Sequence, residues 1–304
     1  AMIVESSALP EQVVQDVLAS AFDSAGQRCS ALRVLCLQED IADHVLGMLR
    51  GALRELRIGL PDRLATDVGP VIDEDARRAL MDYIDHAGNH ALEMFQLPLP
   101  DTCRRGSFVA PTVIVIDDFS RLRHEVFGPV LHVLRYRRDQ LPQLVAQINA
   151  SGYGLTLGIH SRIDETVEAI VARAHVGNIY VNRNMVGAVV GVQPFGGEGK
   201  SGTGPKAGGP LYLRRLQQAA DSGLLASDVA MQPPANDNGL KALREWARAN
   251  GDTVLIALTQ RYGQDSLLGR ALSLPGPTGE SNTLRFAARG AVLCAAPDGA
   301  GHDD

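Results

Sequence analysis

Residues 129–182, PVLHVLRYRRDQLPQLVAQINASGYGLTLGIHSRIDETVEAIVARAHVGNIYVN, alternate between two kinds of apolar pattern. The segments PVLHVLRY, LTLGIHS and GNIYVN are short and rich in aliphatic side chains, which is typical of buried strands. The segments LPQLVAQINAS and DETVEAIVARAH repeat apolar side chains every three to four residues, which predicts amphipathic helices. Strands that alternate with helices favour a mostly parallel sheet covered by helices, so this stretch predicts an α/β fold.

The same patterns continue toward the amino terminus. LPEQVVQDVLASAFDSAG predicts a helix that stops at Gly26, and ALRVLCLQ predicts a buried strand that contains Cys36. EDIADHVLGMLRGALREL and residues 74–92 predict two further helices, and SFVAPTVIVI predicts another strand. The opening residues AMIV indicate the end of a strand, without an initiator methionine or a preceding turn. We therefore expect the chain to be a fragment of a longer protein.

The carboxyl-terminal third has a different composition. MVGAVVGVQPFGGEGKSGTGPKAGGP is dense in glycine and proline, so backbone shape rather than side-chain packing dominates there, as in many ligand-holding segments. Residues 217–238 read as a linker of small residues, proline and asparagine. GLKALREWARANG predicts a short helix, and LPGPTGESNTLRFAARGAVLCAAP predicts a turn followed by strand-like pieces.

Composition and charge exclude several classes of protein. Of the 304 residues 45% are hydrophobic and 21% charged, which supports a packed core, and the net charge of -6 gives no basic surface for nucleic acid. The longest apolar runs fall far short of the ~20 residues of a membrane span, so we expect no transmembrane segment and a cytoplasmic location. The four cysteines are scattered and lack the paired spacing of a zinc or redox site, which indicates reduced thiols and no metal.

Cys29, in the stretch FDSAGQRCSALRV, allows two interpretations. Most cysteines are small buried apolar residues. A catalytic thiol instead needs an exposed turn with oriented backbone N–H groups, which favour a thiolate and can stabilise an oxyanion. Cys29 follows a glycine-containing turn between a predicted helix and a predicted strand, whereas Cys36 lies within that strand. No histidine can be assigned as its partner from spacing.

The glycine-rich segment resembles two phosphate-binding motifs but satisfies neither. GEGKS would end a P-loop, yet Pro194 occupies the position where that motif requires its first glycine. Gly197, Gly199 and Gly202 have the G-x-G-x-x-G spacing, but Pro205 and more glycines follow where a dinucleotide-binding loop would open a helix.

Glu125 and Phe127 lie in the segment HEVFGPVLHV. Glu125 is either an exposed acid at the start of a strand or a carboxylate that accepts hydrogen bonds from ribose hydroxyls. Phe127 could pack against a flat ring beside it.

Together these pieces resemble the aldehyde dehydrogenase superfamily. The motifs GQRC, GSFVAPTV, EVFGPV, YGLTLGIHS, GNIYVN and PFGGEGKSGTG occur in the family's order and span most of residues 1–214. NRNMVGAVVGVQPFGGEGKSGTGPKAGGPLYL resembles the L-glutamate γ-semialdehyde (1-pyrroline-5-carboxylate) dehydrogenase branch. The closing LPGPTGESNTL and RGAVLC resemble the carboxyl-terminal end of the bifunctional proline utilization A family.

The resemblance implies a division and a set of roles. Residues 1–214 would be the catalytic-domain portion of an aldehyde dehydrogenase fold, and 215–304 a linker, short helix and tail. Cys29 would be the nucleophile that adds to L-glutamate γ-semialdehyde, and its N–H would hold the oxyanion. Glu125 would bind the nicotinamide ribose of NAD, with Phe127 packing nearby. Ser30 and the N–H groups of Gly187 and Ala188 would bind the substrate carboxylate. Phe195 would pack along the aliphatic part of the substrate.

Other parts that the resemblance implies are not matched within this sequence. These are the rest of the nucleotide-binding half, the oxyanion-hole asparagine, the general-base glutamate, and the proline dehydrogenase region with its FAD. We therefore expect the missing amino-terminal half to be a partner, a homo-oligomer to form, and the isolated chain to bind NAD poorly. Two alternatives stay open: a non-catalytic remnant with a folding or oligomer-contact role, and a dehydrogenase for another semialdehyde, such as succinate semialdehyde. For the last, a basic side chain would be the more direct carboxylate clamp.

Overall fold

The alternation of strands and helices is confirmed in a computed structural model, which describes residues 1–209, 211–216 and 238–288. The strands are β1 (Met2–Val4), β2 (Val34–Gln38), β3 (Glu93–Gln96), β4 (Thr112–Ile116), β5 (Val130–Tyr136), β6 (Tyr153–Gly154), β7 (Thr156–His160), β8 (Asn178–Val181), β9 (Glu198–Gly199), β10 (Ala271–Leu274) and β11 (Asn282–Arg285). The helices are α1 (Pro10–Phe22), α2 (Glu39–Arg54), α3 (Glu74–Gly88), α4 (Leu141–Ala150), α5 (Asp164–Val171), α6 (Asn238–Ala249) and α7 (Thr253–Asp265).

Seven strands form one sheet in the order β3-β4-β5-β2-β1-β7-β8. Every pairing is parallel except that of β3 with β4, so the prediction of a mostly parallel sheet with flanking helices is confirmed. The register places Ile3 of β1 between Cys36 of β2 and Ile159 of β7. All three side chains are fully buried, as a central strand covered on both faces requires.

Helices supply the rest of the core. α1 turns Val13, Val17 and Phe22 inward, and α2 packs beside it with a stripe that includes Leu46 and Leu49. Apolar side chains at this spacing lie on one face of a helix, so the periodicity in the sequence was enough to orient both helices.

The antiparallel strand β3 was not expected. The apolar pattern of residues 74–92 predicted one helix, but α3 ends at Gly88 and the chain then pairs along β4. Glu93 and Met94 are exposed on this outermost strand, so no alternation of apolar residues marks it. Its stability comes from hydrogen bonds to β4, which only the assembled sheet provides.

The structure separates into two compact units. The first comprises residues 1–188 and 195–207 and contains the seven-stranded sheet. The second comprises residues 189–194 together with the described residues from Gly208 onward. In the second unit α6 confirms the helix expected in GLKALREWARANG, and β10 and β11 form an antiparallel hairpin around the expected turn. Helix α7, which packs on α6, was not predicted.

Parts of the carboxyl-terminal third lie outside the described residues. These are nearly all of the expected linker, residues 217–237, and the segment that contains Cys294. Within the part that is described, no helix is both long enough and apolar enough to cross a membrane.

The glycine-rich segment packs backbone against backbone in the first unit. A Cβ on Gly177 would lie 1.9 Å from the carbonyl oxygen of Gly196, and one on Gly199 would lie 2.7 Å from that of Gly152. The glycines that mimic a phosphate-binding motif are therefore needed for close approach of chain segments. β9 pairs with β6 rather than with the main sheet, so the strand and helix that a dinucleotide loop requires do not flank them.

Lys206 stabilises this segment through hydrogen bonds. Its Nζ donates to the carbonyl oxygens of Gly177 and Gly196 (2.9 Å for the latter) and to Oδ1 of Asn178 at 3.1 Å. One ammonium group thus satisfies three acceptors where two glycine backbones are pressed together.

We predict that Lys206→Met lowers the free energy of unfolding by about 2 kcal/mol, because it leaves partly buried acceptors without a donor. The matched control is Lys200→Met, since exposed Lys200 donates to one carbonyl, that of Ser151, among the residues that the structure describes. Urea unfolding of both variants checks the prediction. Equal losses would show that Lys206 does not hold the segment.

Candidate active site

Cys29 lies on an exposed turn between α1 and β2, as the sequence predicted for a nucleophile. The N–H of Ala31 donates to the carbonyl of Arg28 at 3.0 Å, so Cys29 and Ser30 are the two central residues of a β-turn. Within residues 1–209, 211–216 and 238–288 no group accepts a hydrogen bond from the Cys29 N–H. The thiol therefore has a free backbone donor beside it, as an oxyanion hole requires.

A short left-handed turn lies between the end of α1 and Cys29. Ser24, Ala25 and Gly26 have φ values of 56°, 51° and 66° in succession. Left-handed backbone is unfavourable for serine and alanine, by roughly 1–2 kcal/mol per residue. The helical pattern of FDSAG gives no sign of this reversal, which redirects the chain from α1 toward the sheet.

Gly26 explains why the left-handed turn holds its position. A Cβ on Gly26 would lie 2.2 Å from the carbonyl oxygen of Gly128, the glycine of the EVFGPV motif. Gly128 itself is pressed against Leu80 of α3. The segment that carries Cys29 and the segment that carries Glu125 and Phe127 therefore meet at their glycines.

Arg33 joins the same two segments. Its guanidinium donates to the carbonyl oxygens of Gly26 at 2.6 Å and Gly128 at 3.2 Å, and forms an ion pair with Glu125 at 3.3 Å. It also lies over the ring of Phe127, 4.7 Å from the centroid. Burial lowers the pKa of Arg33, while the charge of Glu125 and its hydrogen bond to Arg33 act in the opposite direction.

Arg33 is the site residue that the sequence interpretation missed. Arg33 directly precedes a fully buried strand in ALRVLCLQ. A charged residue at that position could have indicated a polar site. A buried guanidinium needs acceptors for its five N–H donors, so an arginine in that position indicates an organised polar site.

A cavity of about 520 Å³ opens beside the thiol. Cys29, Glu125 and Phe127 all line it, together with Arg33 and His132. The Glu125 side chain is 36% exposed and Phe127 is 47% exposed, so both can still contact a ligand. The structure thus brings together three of the residues that the sequence marked, although they lie about a hundred positions apart in the chain.

None of the three proposed carboxylate contacts, Ser30, Gly187 and Ala188, lines this cavity, but Ser30 and Gly187 lie close to each other. Ser30 is buried, and its Oγ lies 3.9 Å from where a Cβ on Gly187 would be. The Gly187 N–H already donates to the carbonyl of Met185 at 2.9 Å, whereas the Ala188 N–H has no acceptor in the described part of the chain. Ala188 and Ser30 are therefore the freer donors of the three.

Phe195 does not line the cavity beside Cys29. Its backbone pairs in both directions with Ala207, at 3.0 and 2.8 Å, and its side chain is half-buried. Its role in contacting a substrate stays a prediction.

His132 lines the cavity and contacts the backbone of Arg33. Its Nδ1 donates to the carbonyl of Arg33 at 3.2 Å, so Nε2 is left to accept from the Tyr83 hydroxyl at 2.8 Å. Burial lowers the pKa of His132 from 6.5 to about 4, and the positive charge of Arg33 adds to this effect. The imidazole is therefore neutral at pH 7 and supports the Arg33 backbone.

The groups beside Cys29 are those that covalent catalysis by a thiol uses. In the described ranges no three histidine, cysteine or acidic side chains are grouped so as to hold a metal ion. An exposed thiol, a free N–H beside it, and a carboxylate and an aromatic ring in the same cavity are suited to nucleophilic attack on a carbonyl.

Comparison with known proteins agrees with this chemistry. The family model described as "Aldehyde dehydrogenase family" matches residues 1–220. The bifunctional protein PutA of Escherichia coli (strain K12) is 58% identical over 98% of this chain. The 1-pyrroline-5-carboxylate dehydrogenase of Geobacillus kaustophilus is 38% identical over 72% of this chain.

A solved structure of a 1-pyrroline-5-carboxylate dehydrogenase from Thermus with bound NAD is similar, with a TM-score of 0.64 and 35% identity over 70% of this chain. The chain spans only part of each of these proteins: 24% of the PutA protein, 42% of the Geobacillus enzyme and 41% of the Thermus enzyme.

We predict that Gly26→Ala lowers the free energy of unfolding by about 3 kcal/mol or more, because the added methyl group meets the Gly128 carbonyl as well as an unfavourable φ. Gly251→Ala is the matched control: its φ is +70° but a Cβ there would meet nothing within 4 Å, so about 1 kcal/mol is expected. Urea unfolding measures both. Similar losses in the two variants would mean that the Gly26–Gly128 contact is not tight.

We predict that His132 makes the protein sensitive to acid. Its folded pKa of about 4 lies below its ordinary value of 6.5, so the unfolded chain binds a proton first as the pH falls. Its stabilising contribution is complete above pH 6.5 and is lost as the pH falls toward 4, by about 3 kcal/mol.

His132→Gln should therefore reduce the dependence of unfolding free energy on pH between 6.5 and 4, and buried His160, whose pKa is also about 4, should account for what remains. Urea unfolding at a series of pH values measures this. His44→Gln, at an exposed position of α2, is the matched control. Parallel curves for the wild type and His132→Gln would contradict the prediction.

Proposed function

The chain belongs to the aldehyde dehydrogenase family, and from that premise we propose that the protein containing it oxidises L-glutamate γ-semialdehyde to L-glutamate with NAD⁺. One observation carries the proposal: exposed Cys29 shares a cavity with Glu125 and Phe127. The names of the similar proteins, PutA and 1-pyrroline-5-carboxylate dehydrogenase, support the choice of substrate. The activity is proposed for the containing protein because the chain spans 24% of the PutA relative.

Cys29 is the nucleophile in this proposal. Its thiolate adds to the aldehyde carbon, and the carbonyl oxygen becomes the negatively charged oxygen of a thiohemiacetal. The free N–H of Cys29 donates to that oxygen. Loss of a hydride from its carbon turns the thiohemiacetal into a thioester. Water then releases glutamate from the thioester and restores the thiol. Covalent attachment thus divides one difficult oxidation into two easier steps.

The residues beside Cys29 fit a nicotinamide nucleotide. The Glu125 carboxylate is half-exposed and can accept hydrogen bonds from ribose hydroxyls, and the exposed Phe127 ring offers an apolar face in the same cavity. NAD⁺, when bound, supplies the acceptor for the hydride that leaves the thiohemiacetal carbon. Arg33 keeps Glu125 and Phe127 in place for this contact through its ion pair and its stacking.

The substrate carboxylate is assigned to Ser30, Gly187 and Ala188. The Ser30 hydroxyl lies next to Gly187, and the Ala188 N–H is free to donate. Gly187 has φ +85° and no side chain, so the substrate can approach the backbone closely there. Phe195 is assigned to the aliphatic part of the substrate, on the resemblance alone.

Three further assignments complete the proposal. Residues 1–214 form the catalytic portion, and 215–304 a carboxyl-terminal extension that includes α6, α7 and the β10–β11 hairpin. The general base, the oxyanion-hole asparagine and most of the NAD contacts come from the part of the relatives that this chain does not span. Self-association involves residues after about 211.

The test is an assay of NAD⁺-dependent oxidation of L-glutamate γ-semialdehyde by the full protein that contains this chain. We expect the wild type to be active and Cys29→Ala to lose at least about 10³-fold in kcat, because the covalent route is closed. Cys103→Ala is the matched control, since the Cys103 thiol is buried and contacts the carbonyl of Ile58 outside the cavity.

The choice of substrate is tested in the same assay with succinate semialdehyde and propanal. The proposal expects the highest kcat/KM for L-glutamate γ-semialdehyde. Preference for succinate semialdehyde would favour a different dehydrogenase, and inactivity of the full protein with every aldehyde would favour a non-catalytic role.

A further inference from the structure

Helix α1 carries three polar side chains on one face. Gln12, Asp16 and Ser20 are spaced four residues apart, so they follow one another along the helix surface. Asp16 is 9% exposed and Ser20 is 1% exposed, among apolar residues that pack into the core. Polar groups at such depth need hydrogen-bond partners.

All three side chains contact the same short segment. Gln12 Nε2 donates to the carbonyl oxygen of Asn182 at 2.6 Å, and the Asn184 backbone opposes the rise in the pKa of Asp16 that burial causes. The Ser20 hydroxyl accepts from the Met185 N–H at 3.1 Å. The segment that α1 holds in this way, residues 182–185, leads directly into Gly187 and Ala188.

Ser20 has a second contact that the other two lack. Its backbone carbonyl accepts from the Leu32 N–H at 2.8 Å, three residues after Cys29. Leu32 and Met185 are both completely buried, so neither backbone can move without repacking the core. One residue of α1 thus holds the turn that contains Ser30 and the segment that precedes Gly187.

We propose that Ser20 is a positioning residue for the substrate carboxylate, and this inference rests on the proposed function. Its hydroxyl fixes the distance between the Ser30 hydroxyl and the free N–H group of Ala188. The Cys29 turn depends on the Ser20 carbonyl, which any side chain at this position retains. Loss of the hydroxyl should therefore weaken binding of the carboxylate, while Cys29 keeps its position.

The test compares two substrates in the full protein that contains this chain. Ser20→Ala removes the partner of the Met185 N–H and keeps the bond to Leu32. We expect its KM for L-glutamate γ-semialdehyde to rise about tenfold with kcat within about twofold, and its kcat/KM for propanal, which has no carboxylate, to stay within about twofold.

Two further variants separate positioning from simple loss of stability. Ser266→Ala is the control, because the Ser266 hydroxyl also accepts a backbone N–H, that of Leu268, and Ser266 belongs to the second unit. It should leave both KM values unchanged. Ser20→Cys, with a weak acceptor of similar size, should give an intermediate KM for the semialdehyde.

Hydrogen exchange gives a measurement that does not depend on catalysis. Exchange of the amides in residues 185–188 should accelerate in Ser20→Ala and not in Ser266→Ala. Unchanged exchange, an unchanged semialdehyde KM, or equal losses with both aldehydes would overturn the assignment of Ser20 while the wild type remains active. A wild-type protein that does not oxidise the semialdehyde would overturn the proposed function, and the role of Ser20 with it.

Discussion

The contact between Gly26 and Gly128, bridged by the guanidinium of Arg33, is the constraint on which the rest of the site depends. It joins the chain that leaves α1 to the chain that enters β5. Since neither glycine has a side chain, the two backbones approach more closely than other residues would permit. Cys29 on one side and Glu125 and Phe127 on the other then line a single cavity.

Burying Arg33 at this contact has a cost that the surroundings offset. A desolvated guanidinium is stable only when its donors find acceptors, and here three backbone carbonyls and the Glu125 carboxylate accept four of its five N–H groups. Glu125 consequently has two roles in the proposed mechanism: it neutralises Arg33 and offers its remaining oxygen to a ribose. The neutral imidazole of His132 supports this arrangement from below through the Arg33 carbonyl.

Helix α1 organises the other side of the nucleophile. Its apolar face anchors it to the sheet, while its polar face holds residues 182–185. The strained left-handed turn at residues 24–26 persists because both of its ends are fixed, by the helix before it and by the glycine contact after it. Strain of this kind is typical of sites where the chain must present a reactive group in one orientation.

The sequence by itself determined the α/β architecture and the order of most elements, and it marked Cys29 as a candidate nucleophile, because apolar periodicity and glycine-containing turns are local signals. Cys29, Glu125 and Phe127 were predicted from their motifs, and the structure brings them together. Only the tertiary structure revealed the left-handed turn, the edge strand β3, the central place of Arg33 and the two bonds of Ser20. Each of these depends on a partner distant in sequence, such as a carbonyl about a hundred residues away or a neighbouring strand, and no local pattern of side chains encodes such a partner.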